Sequence, residues 1–154
     1  LFRSYYLGRF GNGSKMKFVA NLLVAIHNVS AAEAVVLARR CGLNAATAVR
    51  VLGDGAGASR MLQVRGPMMA RRRYLPATMS LALWRKDMKI IGEFARSLRS
   101  PTPLFSATKG VYNAAIVRGL GEQDTAAVCA VLEQQGGKRW TTHLKSARKS
   151  RTGR

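Results

Sequence analysis

From Ser14 to Ala38 the chain runs almost without interruption through Ala, Val, Leu and Ile, until Gly42 stops it. At 3.6 residues per turn that is roughly seven turns of helix. One helix of this length sets the frame into which the other elements must fit. It also invites a membrane reading, because residues 18–38 would span a bilayer. Asn21, His27, Asn28, Ser30 and Glu33 interrupt the stretch on more than one face. Polar groups are costly in lipid, so the stretch reads as a helix buried in a soluble domain, with no membrane partner.

The rest of the sequence is punctuated as helices. Gly11-Asn12-Gly13 breaks what precedes it, and Ser14 is the expected N-cap of the long helix. Asn44 opens a short amphipathic segment to Leu52, and residues 53–57 form a glycine-rich loop. Ser59 caps a helix to about Ala70, broken or distorted near Gly66-Pro67. Arg71-Arg72-Arg73 and Pro76 mark a connection. Residues 79–98 place Leu83, Met88, Ile91 and Ala95 at helical spacing. Residues 104–118 form a helix with Ala107, Val111, Ala114 and Ala115 inward. Gly119 and Gly121 end it, and Asp124 caps a last helix to about Gln134. No strand pattern competes, and the fold class expected is all-α, built around one long central helix.

Composition narrows the partners. The net charge is +19, a fact about association and solubility, not fold. Seven of the 26 bases and none of the seven acids lie in residues 135–154, so 136–154 is expected to be a basic, disordered tail. A basic nucleic-acid-binding module is therefore an alternative function, with that tail as its best contact surface, although aromatic residues are only 7% and no reading motif is present. A non-catalytic dimerisation module is a second alternative. Cys41 and Cys129 have no CxxC partner and read as small buried hydrophobes in a reducing compartment. His27 and His143 lack a second ligand at metal spacing, so no metal site is expected. No secretory pattern opens the chain, and the expected location is cytoplasmic.

Two clusters could carry chemistry. Lys17 follows Gly11-Asn12-Gly13 in the first turns of the long helix, with Asn21 four residues on, on one face. A lysine there should be partly desolvated, which favours the neutral amine and suits it to proton transfer. The glycines admit a ligand, and the helix start favours an anion such as a carboxylate. A solvated lysine at a helix start is the commoner outcome for such a pattern. The second cluster, Trp84-Arg85-Lys86-Asp87-Met88-Lys89, reads either as a charged helix face or as a cation placed against a cofactor.

The segment Gly11-Asn12-Gly13-Ser14-Lys15-Met16-Lys17-Phe18-Val19-Ala20-Asn21 resembles the G-x-G-x-x-x-K-x-x-N-N stretch of the β-hydroxyacid dehydrogenases, a family related to 6-phosphogluconate dehydrogenase. Ala32-Glu33-Ala34, Arg40-Cys41-Gly42-Leu43, Trp84-Arg85-Lys86-Asp87, Pro101-Thr102-Pro103-Leu104 and the helix of Tyr112 follow in family order, over roughly residues 8–134. The resemblance implies the helical C-terminal domain of a 3-hydroxyisobutyrate dehydrogenase-like enzyme. It makes Lys17 the catalytic lysine that exchanges the hydroxyl proton and Asn21 its substrate-holding neighbour. Lys86 and Asp87 become the cofactor-contacting pair for NAD or NADP. It also implies a small hydroxy-acid substrate, a homo-oligomer, and an N-terminal Rossmann domain. These residues contain no G-x-G-x-x-G, so they are expected to be a fragment, inactive alone, with 1–13 leading in from the missing domain and 14–135 forming the substrate and dimerisation domain. Ala20 replaces the first asparagine of the family pair, and Met79 stands where many members place an aromatic.

Overall fold

The computed structural model describes residues 5–135; the tail expected from 136 onward lies outside them. Within them the chain is all-helical: α1 (Asn12–Arg40), α2 (Ala45–Asp54), α3 (Arg60–Arg71), α4 (Leu81–Ser97), α5 (Pro103–Val117), a 3₁₀ turn (Thr125–Ala127) and α6 (Val128–Gln135). The 29-residue α1 is the axis, and each of the other five helices packs against it.

Sequence signals account for most boundaries. Asn44, Ser59 and Ser80 each accept a hydrogen bond from the backbone N–H three residues on, capping α2, α3 and α4. Gly42 adopts φ +80° after α1, where its N–H and that of Leu43 reach back to the carbonyls of Arg39 and Ala38. That left-handed turn is the usual glycine ending of a helix.

The start of α1 differs from expectation. Ser14 is not its cap; the helix begins at Asn12 behind Gly11, whose φ of 87° turns the chain one residue pair earlier. Asn12 uses its side chain to donate to the Leu7 carbonyl at 2.7 Å, which ties the incoming segment to the first turn. Nor does Pro67 break α3, which runs through it. Gly66 packs so tightly on α2 that a Cβ there would lie 2.8 Å from Val49 Cγ1. Leu62, Gly66 and Met69 are buried, and that packing offsets the backbone bond a proline cannot make.

Two helices also face differently from the pattern first read. In α4 the buried stripe is Leu81, Trp84, Met88, Ile91 and Ala95, while Leu83 points to solvent. In α5 it is Phe105, Thr108, Tyr112 and Ala115, while Ala107 is exposed and Val111 and Ala114 are half-buried. In both cases the large aromatic takes the interior position, since burying it removes the most apolar area from water. Cys129 is the buried thiol expected, with burial raising its pKa; Cys41 is exposed at the end of α1.

The core also holds polar groups. Asn28 is fully buried, donating to the Tyr112 hydroxyl at 3.0 Å and the Thr125 carbonyl at 2.9 Å. Tyr112 donates in turn to the Ala25 carbonyl, and burial pushes its pKa up to about 12. Near the C-terminal end of α1, Arg39 donates to the Met69 and Ala70 carbonyls, closing the end of α3, and pairs with Glu133 of α6.

Candidate functional site

The seam between the first half of α1 and α4 holds the residues singled out in the sequence. The helices run antiparallel there. Phe18 meets Phe94 with ring centroids 5.0 Å apart, and one turn further along α1 the Asn21 amide donates to Asp87 Oδ2 at 3.5 Å. Residues 66 positions apart in the chain are thus brought together. Lys17 lies one turn before Asn21 on the same face of α1, beside the Phe18 that anchors the seam.

The four candidates are not equally engaged. Asn21 and Asp87 are half-buried and bonded to each other. Lys17 is exposed and makes no hydrogen bond or ion pair among the described residues. Among the described residues it is the solvated lysine that a helix start commonly gives, not the partly desolvated one, since no residue of α1 before Ala25 is fully buried. Lys86 is likewise exposed, next to Asp87. A Cβ built on Gly11 or Gly13 meets nothing within 4 Å, so the helix start beside Lys17 is open to a ligand.

What holds α4 in place is a buried carboxylate read in the sequence only as a helix cap. Asp124 does cap the 3₁₀ turn, accepting from the Ala126 N–H. It also accepts from the Thr78 N–H at 2.9 Å, the Thr78 hydroxyl at 2.7 Å and the Met79 N–H at 3.2 Å, and it pairs with Arg65 of α3 at 3.0 Å. Backbone bonds from Leu81 to Gln123 and from Ala82 to Gly121 complete the clamp on the first turn of α4. Burial pushes the Asp124 carboxyl pKa up. The Ala126 N–H, the Thr78 hydroxyl, Arg65 and the Met79 N–H together outweigh that and leave it below its ordinary value. Met79 is half-buried against the core. An acid following Gly-x-Gly at a helix start was the available signal; its long-range partners, Arg65 and Thr78, carry no local pattern.

The arrangement offers an amine, an amide and a carboxylate along one open seam. An amine at Lys17 can exchange a proton with a hydroxyl or carbonyl oxygen laid beside it, and Asn21 can orient the same group. Lys86 stands exposed at the edge of the seam.

A sequence model of the family described as NAD-binding of NADP-dependent 3-hydroxyisobutyrate dehydrogenase matches residues 11–132, which include all four candidates. The chloroplastic glyoxylate/succinic semialdehyde reductase 2 of Arabidopsis thaliana is 33% identical over 129 residues, covering 84% of this chain and 36% of the reductase. Among solved structures, a 3-hydroxyisobutyrate dehydrogenase from Salmonella typhimurium superposes with a TM-score of 0.74 at 30% identity, covering 79% of this chain and 42% of the other. That of Mycobacterium tuberculosis, determined with L-serine, gives 0.73 at 25% identity, covering 83% and 46%. The chain thus spans less than half the length of these proteins.

Proposed function

The chain belongs to the 3-hydroxyisobutyrate dehydrogenase family, and from that membership we propose that it is the helical part of an NAD(P)-dependent oxidoreductase acting on a small β-hydroxy acid. The observation that carries the proposal is the hydrogen bond from Asn21 to Asp87. It joins the two motifs that the family resemblance assigns to substrate and cofactor into one seam, with Lys17 one turn away.

In this reading NAD(P), when bound, would supply the hydride-transfer chemistry. Lys17 Nζ takes or gives the proton of the substrate hydroxyl. Asn21 holds the substrate oxygen toward Lys17, and the bond to Asp87 fixes which way the Asn21 amide faces. Lys86 contacts the cofactor, with Asp87 beside it. The open start of α1 receives the substrate carboxylate. Lys17 becomes desolvated only when a nucleotide-binding domain covers the seam, and closure then suits it to proton transfer.

Two apolar surfaces support the partners this requires. Met16, Val19 and Leu23 project outward along the first half of α1, about half exposed. Leu37, Leu43 and Val51, more than half exposed, surround a cleft between α1 and α2. Patches of this kind mark contacts with other protein, here a second copy of the chain, since the α1 patch faces away from Lys17 and Asn21 and leaves their side to the Rossmann domain. The 154 residues by themselves are expected not to turn over.

The test is to supply a matching Rossmann domain and measure NAD(P)-dependent oxidation of hydroxy acids. Lys17→Ala is expected to lower kcat by about 10²–10⁴-fold, the range for loss of a general acid–base group, with the Tm unchanged. A rate within threefold of the parent would remove Lys17 from the mechanism.

A further inference from the structure

The other flank of α4 carries a feature that the dehydrogenase chemistry does not use. Arg85, Lys89 and Arg96 line a cleft of about 250 Å³ between α4 and α5, and Lys109 of α5 faces them across it. Met88 and Ile116 are part of its apolar lining, and no carboxylate lines it. Lys89 makes only a marginal contact with Glu93, at 4.0 Å. Arg85, Arg96 and Lys109 have no ion pair among the described residues.

Position separates this cleft from the candidate active site. At about 100° per residue, Arg85, Lys89, Gly92 and Arg96 share one stripe of α4, roughly 180° around the helix from Asp87 and Phe94. The core stripe of Trp84, Met88 and Ile91 lies between the two flanks. Gly92 keeps the cleft open at its centre: a Cβ there would sit 3.2 Å from Lys109 Nζ. Lys109 itself is held over the Phe105 ring, 5.2 Å from its centroid, a cation–π contact that fixes where its charge points.

We propose that this cleft is a second anion site, taking a small phosphate-bearing molecule such as a phosphate ester or pyrophosphate. Four cationic residues lining one concavity favour a compact anion of more than one charge. The volume suits a phosphate or pyrophosphate group with little beyond it. A nucleic-acid strand would instead need a continuous basic track with stacking aromatics. Phe105 is fully buried and Tyr112 nearly so, which leaves no such platform at the cleft.

The experiment is titration calorimetry of the 154-residue chain with inorganic pyrophosphate at fixed ionic strength, repeated with a twenty-nucleotide single strand. One saturable pyrophosphate site is expected. It should weaken at least tenfold in Arg96→Gln/Lys109→Gln and stay within twofold in Lys86→Gln, which lies about 90° around α4 from the cleft stripe and does not line the cleft. Circular dichroism reports whether each variant keeps its helices; should the double variant lose them, Arg85→Gln tests the same cleft. The proposal is overturned by absence of saturation, by equal affinity in the cleft variants, by a tenfold loss in Lys86→Gln alone, or by binding of the oligonucleotide without pyrophosphate. None of these readouts uses the dehydrogenase reaction, so they stand or fall apart from the role of Lys17.

Discussion

Two of the asparagines of helix α1, Asn21 and Asn28, lie seven residues apart on one face, in very different surroundings. Asn28 is sealed in the interior and bonded to two other elements at 2.9–3.0 Å. Asn21 is half-buried, with a single long bond to Asp87 at 3.5 Å. The halves of the helix around them divide the same way. From Ala25 onward eight residues are buried; before it none is. The sequence is apolar in both halves, yet only the second half is core. The first half rests on the core only through half-buried residues such as Phe18, Leu22 and Val24 and leaves Met16, Val19 and Leu23 about half exposed, as a surface to be completed by another polypeptide would. Polar groups in the buried half are structural, and those in the open half are free to serve chemistry.

The strongest way to break that division is to disturb the buried polar framework. Asp124→Ala removes the carboxylate from Arg65, whose side chain is only 8% exposed. Stranding one member of a buried pair costs about 3–5 kcal/mol, and urea denaturation should show a loss of that order. Because the Asp124 pKa is lowered in the fold, its contribution is complete above the ordinary carboxylate value near pH 4 and vanishes as pH falls through the lower folded value. The stability gap between the parent and Asp124→Ala should therefore be flat from pH 5 to 8 and narrow below about pH 4. A gap that narrows instead between pH 5 and 7 would contradict the assigned direction.

Asn28→Ala comes next. It removes the amide donating to the Thr125 carbonyl and the Tyr112 hydroxyl, and the buried Thr125 carbonyl loses a partner. A loss of about 1–3 kcal/mol is expected. Tyr112 should also lose its fixed orientation against Trp84, whose ring centroid lies 6.2 Å away; the near-ultraviolet circular dichroism reads that change. A loss of stability below about 0.5 kcal/mol would mean that the buried half tolerates polar deletion as easily as the open one.

Much of this was legible in the residues. Helix order followed from Gly42, Asn44, Ser59 and Gly119, since each acts through backbone geometry within a few positions. The family motifs located Lys17, Asn21, Lys86 and Asp87 in order, and the fold joined Asn21 to Asp87. What the sequence hid depends on distant partners. Whether Leu83 or Trp84 of α4 turns inward is decided by Tyr112, and whether α3 survives Pro67 is decided by Val49 beneath Gly66. The exposure of Lys17 is the solvated outcome that its residues alone favoured; what they hid is that no turn of α1 before Ala25 is buried, because an apolar run does not say which of its turns has neighbours.

The smallest stability effect belongs to Asn21, and it gives the sharpest test. Its bond to Asp87 is long and half-exposed, so Asn21→Ala should change stability by less than about 0.5 kcal/mol, the range of ordinary surface substitutions. Asn28→Ala, the same substitution seven residues along the same helix, should cost several times more. With a nucleotide-binding domain supplied, the order should reverse. Asn21→Ala is expected to lower kcat/KM for a hydroxy acid by about 10-fold or more, as loss of a positioning contact at the reacting oxygen does, whereas Asn28→Ala, well below its Tm, should retain most of the rate. Chemical denaturation and steady-state kinetics on the two variants side by side measure both quantities. Equal losses of rate, or a larger loss for Asn28→Ala, would show that the open half of α1 is not where substrate is held.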